Sequence, residues 1–415
     1  MNAFLSWKRE VLSNGMRVLE LPRASDATTR LCLAVEYGST SDSKSDAGLA
    51  HLLEHMLGGG SAKRLQICEE IERMGGYVNF FTAPEYTVGF VQALPNRILQ
   101  SMKALTQLMY DPTFEQGKFE NEQKVVLNEI DETLDDPGER VDQMLRQSLF
   151  KMHPIRRPIG GYHNTVSRMT LQKLCNTHQI RYTAHNTILV LTGNFTKQHK
   201  ATAIKSLSKI EQAENPSKKH RFRTDTRYRR KTVQKRPGIA QAYLSMGSQT
   251  VPATHKDVCA LDVIDKVMGG GTSSRLFKEL REKRGLAYGV ESAHYNGSDF
   301  GFFTASCALK SKNLQKATRL IQEEFLKMRN EKISTEELNK GKDMILGSIF
   351  QQADNPLGCP AMLAETEILF HSEHAITDYL KQVKKVAADD IIRVANKYLD
   401  EDSFSTAIIT PKPSK

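Results

Sequence analysis

The sequence predicts an α+β fold of two homologous domains, each a mostly antiparallel sheet with helices packed on one face, arising by internal duplication. Three observations carry this. The chain has 415 residues, more than a single core organises, since domains commonly run to about 100–200 residues. Residues 51–65, HLLEHMLGGGSAKRL, align without a gap on residues 262–276, DVIDKVMGGGTSSRL, so that the glycine triplet, the arginine and the leucine coincide. Around each copy the order is the same: an apolar strand, two helices, a long strand pair, then two further helices ending in DDP or ADNP. Repetition of a whole ordered unit marks a duplication. The bounds that follow are a first domain over 1–205, a basic interdomain linker over 206–238 and a second domain over 239–415.

Apolar alternation places strands over residues 15–22 and 29–38. A short helix follows, with Ser45 or Asp46 as candidate cap and Gly58, Gly59 and Gly60 ending it. A second helix over residues 63–74 stops at Gly75 and Gly76, and residues 77–93 read as a hairpin. Residues 120–132 carry helical spacing, with Val125, Val126, Leu127 and Ile130 on the apolar side.

The short helix holds the chemistry. His51 and His55 stand four apart and therefore share a face, and Glu54 lies on the same side one turn after His51. Leu49, Leu52, Leu53, Met56 and Leu57 are interleaved, so the helix is mostly buried and its polar groups are costly unless something satisfies them. Two imidazoles four apart grip one ion. A catalytic zinc takes three protein ligands and keeps one position open, so a third ligand must come from elsewhere. Glu129 is the candidate, with Glu122 seven residues before it on the same stripe to orient a ligand. This order of residues is the inverted HxxEH zinc-peptidase motif, with Glu54 as general base. In the second copy the matching positions are Asp262, Asp265 and Lys266. An ammonium there repels a cation, so one Zn2+ per chain is expected, in the first half.

At this point the chain resembles the pitrilysin group of zinc metallopeptidases, peptidase family M16, which includes insulysin and mitochondrial processing peptidase, in its shorter two-domain form. The landmarks run nearly end to end: LSNGMRVLELP, AGLAHLLEHML, ERMGGYVNFFTAPEYT, VVLNEIDETLDDP, RPIGG, NTILVLTGNF and GGGTSSRLFKELREKRGLAYGV. The resemblance implies a LuxS/metallopeptidase-like fold, His51, His55 and Glu129 as zinc ligands, Glu54 as base and Glu122 behind the ligands. It implies that Arg281 and Tyr288, seven apart in the non-zinc half, act with Glu54 in catalysis by contacting substrate and stabilising the developing oxyanion. It also implies that the strand over residues 78–82 is an exposed edge that pairs with a peptide backbone, with Asn79, Phe80 and Thr82 as substrate-binding positions. Phe80 departs from the small alanine usual after that asparagine, so side-chain preference is expected to differ there. An extended peptide bound in a chamber between the two domains is the implied substrate. A homodimer, or a heterodimer with a related chain, is the implied assembly.

Composition sets the remaining expectations. No stretch approaches the roughly 20 apolar residues of a membrane span, and the amino terminus has no apolar run of signal-peptide type. The six cysteines are scattered without paired spacing, which fits reduced thiols and a cytoplasmic location. Net charge is +10, but ten basic residues against one acid fall between Lys218 and Arg236. That local segment reads as a solvated linker, and neither nucleic acid nor membrane is expected as a partner. Two alternatives to a general peptide-degrading enzyme stand: a processing protease trimming one leader or presequence, and a non-catalytic subunit of a larger complex.

Overall fold

The computed structural model describes residues 6–111, 113–211 and 229–412. In chain order the first repeat gives β1 (Lys8–Val11), β2 (Arg17–Pro22), β3 (Thr29–Val35), α1 (Leu49–Gly59), α2 (Ala62–Arg73), β4 (Tyr77–Thr82), β5 (Thr87–Ala93), α3 (Ile98–Tyr110), α4 (Gln116–Asp135), α5 (Pro137–Leu149), α6 (His163–Val166), α7 (Leu171–Arg181), β6 (Thr187–Gly193) and α8 (Lys197–Leu207). The second gives β7 (Lys231–Arg236), β8 (Ala242–Gln249), α9 (Val258–Gly269), α10 (Arg275–Phe277) running on as a π-turn over Lys278–Glu282, β9 (Ala287–Asn296), β10 (Gly301–Leu309), α11 (Leu314–Asn330), α12 (Thr335–Asp354), α13 (Gly358–Phe370), α14 (Ala375–Lys385), α15 (Ala388–Tyr398) and β11 (Ser405–Pro411). No helix among the described residues is long and apolar enough to cross a membrane.

The duplication is visible in strand order. One sheet runs β1-β2-β6-β3-β5-β4 and the other β7-β11-β8-β10-β9. Pairing directions match as well: β2 with β6 and β7 with β11 are parallel, and every other neighbouring pair is antiparallel. Only β1 lacks a counterpart among the described residues. The position of Asp46 in the first repeat corresponds to Asp257 in the second, and each anchors a later helix: Asp46 pairs with Lys173 of α7, Asp257 with Arg393 and Lys397 of α15.

Each sheet is covered on both faces, and the second cover comes from the other repeat. In the second sheet Leu244, Met246, Phe303, Ala305 and Ile408 face one core with α9 and α11, while their neighbours Tyr243, Phe302, Ala407 and Ile409 pack with Val141, Met144, Leu145 and Leu149 of α5. In the first sheet Leu31, Leu33, Leu189 and Leu191 face α1 and α3. Their neighbours Cys32, Ala34, Ile188 and Val190 are fully buried too, on strands against which α13 packs. Strands buried on both faces need continuous apolar sequence, as TRLCLAV and TILVLTG show. An ion pair from Arg9 of β1 to the fully buried Glu367 of α13, Nε to Oε2 at 2.9 Å, fastens that cover.

The two compact units are therefore discontinuous in sequence: residues 1–131, 157–220 and 351–377 form one, and residues 132–156, 221–350 and 378–415 the other. The stretch read as a linker is partly regular. Residues 206 and 207 end α8, residues 212–228 lie outside the described residues, and Lys231–Arg236 is an edge strand with Lys231, Val233 and Lys235 outward and Thr232, Gln234 and Arg236 half-buried. Lysine-flanked edges resist pairing with other chains.

Asp257 gives this architecture a testable anchor. Its carboxylate is fully buried and accepts from Arg393 Nη1 at 2.7 Å, Tyr398 Oη at 2.7 Å and Lys397 Nζ at 3.1 Å. Burial alone would raise its pKa, but these three bonds outweigh it and hold the group well below the usual aspartate range. A depressed folded-state pKa contributes stability that is complete above the unfolded value of about 3.9 and is lost as pH falls towards the folded value. Asp257→Asn is expected to cost about 2 kcal/mol at pH 7, discounted because Arg393 and Lys397 are half exposed. In urea titrations the gap between wild type and variant should close as pH drops below 4; a gap independent of pH would remove the charge from the account.

Candidate metal centre

α1 is held in place before its histidines are aimed. Asp42, buried and six residues upstream of Gly48, accepts from the backbone N–H groups of Gly48 at 3.0 Å and Ala50 at 3.3 Å, and from the Tyr37 hydroxyl at 2.7 Å. It therefore caps the helix from a distance. Neither sequence candidate does so: Asp46 is bound to Ser43 and Lys173, and Ser45 faces Ser43. Burial raises the Asp42 carboxyl to about 7, against the pull of Tyr37, Ala50, Gly48 and Arg157. Gly48, at φ 97°, and Gly161, at φ 77°, meet so closely that a Cβ on either would strike the other segment's backbone. This contact between the RPIGG loop and the helix start needs glycine on both sides.

On that helix the side chains converge as the spacing predicts. His55 Nε2 lies 3.3 Å and His51 Nε2 3.7 Å from Glu129 Oε2 of α4. The three ligand atoms all fall within 4.8 Å of one another. Around a tetrahedral zinc with bonds of roughly 2.0–2.2 Å, ligand atoms stand about 3.3–3.6 Å apart, close to both separations from Glu129, so the chemistry of the donors and their approach suit such an ion. His51 Nδ1 is buried without a hydrogen-bond partner, and the ring meets its acids on the Nε2 side, at Glu129 and at Glu54 Oε2, 3.8 Å away. His55 Nδ1 bonds Glu122 Oε2 at 3.2 Å, which orients the ring from behind. Glu129, at 42% exposed, is the open side of the cluster.

Charge points the same way. Three carboxylates, Glu54, Glu122 and Glu129, surround two imidazoles in a half-buried site, leaving an excess of negative charge that a cation relieves. Burial and the neighbouring His55 lower His51 to about 4, so its ring is neutral, as a metal ligand must be. Burial lowers His55 as well, but the Glu122 bond and the charges of Glu54 and Glu129 outweigh it and raise it. Burial lifts the Glu54 carboxyl to about 7 despite His55, placing a proton acceptor near neutrality beside the cluster.

The surroundings explain several glycines and one phenylalanine. A Cβ at Gly59 would collide with Glu122 Oε1, so this glycine makes room for the acid behind His55. β4 is an edge strand. Thr82 Oγ1 faces Glu54 Oε2 at 3.5 Å. Phe80 points to the same side, its ring over Gly89 of β5 and beside Gly58 of α1. Asn79, of opposite parity, pairs across to Phe90. In the second unit the Arg281 guanidinium stacks on Tyr288, 4.5 Å from the ring centre, and Tyr288 is 79% exposed at the start of β9. Tyr288 is therefore free to meet a ligand rather than built into the core. At the positions matching the metal site, Asp262 binds His294 at 2.7 Å and Tyr379 at 2.6 Å, while Asp265 binds Ser292 at 2.7 Å and Lys266 at 2.9 Å. Sequence reasoning had no signal for Asp42, since the residues between it and the helix obey no periodicity.

Two family descriptions match the chain: Insulinase (Peptidase family M16) over residues 17–162, and Peptidase M16 inactive domain over residues 168–345. The second description covers none of the His/Glu cluster. An uncharacterized zinc protease of Bacillus subtilis, YmxG, is 25% identical over 408 residues, covering 97% of this chain and 98% of its own. The crystal structure of a peptidase M16 inactive domain from Pseudomonas fluorescens superposes with a TM-score of 0.89 at 20% identity, covering 99% of this chain and 98% of that one. A protease from Helicobacter pylori gives 0.88 at 22% identity, covering 98% and 99%.

The geometry assigns different outcomes to neighbouring substitutions. His51→Ala and His55→Ala should abolish zinc in purified protein measured by atomic emission, and Glu129→Gln should weaken it. Glu54→Gln should retain it. Gly59→Ala, by displacing Glu122, should weaken zinc about tenfold in chelator competition; unchanged affinity would detach Glu122 from the site.

Proposed function

The chain belongs to peptidase family M16, and from that membership we propose that it is a zinc-dependent endopeptidase acting on short or unfolded peptides held in extended form. The observation that carries this is the convergence of His51 Nε2, His55 Nε2 and Glu129 Oε2 with the Glu54 carboxylate at their side. His51, His55 and Glu129 would hold one zinc ion per chain, which when bound supplies Lewis acidity to the scissile carbonyl and makes water more acidic.

The chain's own residues then divide the work. Glu54 takes a proton from the attacking water as its oxygen bonds to the carbonyl carbon, and returns it to the amine as the carbon–nitrogen bond breaks. Glu122 keeps the His55 ring turned to the centre. The free edge of β4, at Asn79, offers main-chain groups to an extended peptide, an attachment that tolerates most side chains and excludes few. Phe80 and Thr82 line the helix side of that strand, and Phe80 biases which substrate side chain fits nearby. Arg281 and Tyr288 contact the substrate and stabilise the charge developing on its carbonyl oxygen. Supporting this role, Tyr288 is exposed at the start of the edge strand β9, and Arg281 of the preceding π-turn stacks on its ring.

We further propose a cytoplasmic location and a homodimer; the six unbridged cysteines agree with a reducing compartment. A processing role on a leader peptide is the alternative within the same chemistry, with the acids near Asp131–Asp136 as a wall for basic substrates.

Purified protein should cleave quenched fluorescent peptides, lose activity to a chelator and regain it with zinc. Glu54→Gln should lower kcat at least a hundredfold with metal content unchanged. Absence of cleavage across a broad peptide library by zinc-loaded wild type would leave the non-catalytic reading in its place.

A further inference from the structure

Arg64, the third residue of α2, is only 1% exposed. Its Nη1 donates to the carbonyl of Leu57 at 2.8 Å and to that of Leu108, and its guanidinium lies 4.6 Å over the Phe114 ring. No carboxylate forms a salt bridge with it among the described residues, and Nε and Nη2 have no hydrogen-bond partner. The second repeat solves the same problem conventionally: Arg275, at the matching position, takes both oxygens of Glu337 at 2.8 Å. Glu337 is the third residue of α12, and the third residue of α4 is Lys118. The first repeat thus keeps the arginine without its acid, and a cation buried in this way is expensive.

What it holds explains where it sits. Leu57 is the last residue of α1 before Gly58, Gly59 and Gly60, two positions after His55, and Leu108 is in the last turn of α3. The carbonyls at a helix end lack intrahelical partners and carry its negative pole, so two such ends are a natural counter-charge for one guanidinium. The glycines need this help. Gly59 clears space for Glu122 and Gly60 for Phe114, but a glycine end loses more conformational freedom on ordering than any other and frays readily.

We propose that Arg64 is a positioning residue of the metal centre: it ties the glycine-ended last turn of α1 to the end of α3 and so fixes the direction of His55 Nε2. This rests on the metal reading above. Cobalt(II) titration of full-length protein, by chelator competition and visible absorption, tests it. Arg64→Met should raise the cobalt Kd at least tenfold and alter the absorption envelope, while Arg64→Lys, which keeps the charge and can reach one carbonyl, recovers most of the affinity. On turnover the loss should fall on kcat rather than KM. A lower melting temperature of metal-free protein with an unchanged cobalt Kd would reduce Arg64 to ordinary core stability and overturn the proposal. Should both variants be insoluble, Phe114→Leu, which removes the ring beneath the guanidinium, is read the same way: cobalt binding at least threefold weaker supports the role, and unchanged binding overturns it. Wild type that binds no cobalt would sink the metal reading itself, whereas equal binding by wild type and variants sinks only the part given to Arg64.

Discussion

Two imidazoles and three carboxylates set into an otherwise apolar helix and its neighbour are the constraint to which the surroundings of α1 answer. Such a group is unstable on its own: the acids repel, and burial penalises every charge present. It persists where the backbone around it is fixed by other means. Asp42 satisfies the start of α1, two glycine contacts let the RPIGG loop close over that start, and a buried guanidinium gathers the carbonyls at its end. The acid at one pole of the helix and the base at the other both oppose its dipole, so they favour the same conformation for the same electrostatic reason.

The two repeats show what happens when the constraint is removed. Where the first has imidazoles aimed at a shared point, the second closes Asp262 onto His294 and Tyr379, and Asp265 onto Ser292. Each polar group finds a protein partner. The backbone framework is retained, down to the strand order and the paired aspartates at 46 and 257, so the constraint governs the fixings around α1 and not the shared sheet and helix scaffold.

Much of this was legible because it is local. Four-residue spacing puts His51 and His55 on one face whatever the rest of the chain does, and seven-residue spacing does the same for Glu122 and Glu129. The gapless match of glycine triplets revealed the duplication for a similar reason, since the repeated letters are contiguous in sequence, although Gly59 makes room for Glu122 and its counterpart Gly270 lies against the Lys266 backbone. What stayed hidden is set by partners distant in sequence. An amphipathic helix announces that it has an apolar face, but not which sheet will cover it, so the exchange of α5 and α13 could not be read from their patterns. Capping by Asp42 rather than Ser45 or Asp46 depends on the path of a loop. The strand Lys231–Arg236 was concealed because an edge strand needs little apolar sequence, and its lysines look like those of a solvated connection. Phe80 turned inward because Gly89 across the hairpin left its ring a place to go.

The exchanged helices bear on how the chain is made. When the ribosome has finished the first repeat, the rear of β3 and β6 is an apolar surface with nothing over it, and α5 is already present with no sheet to lie on. Neither half can complete its core until residues beyond 350 emerge. Synthesis therefore passes through a long interval in which a nearly finished sheet stands open to aggregation or to a holding chaperone, and a nonsense mutation between the repeats yields no autonomous half-enzyme.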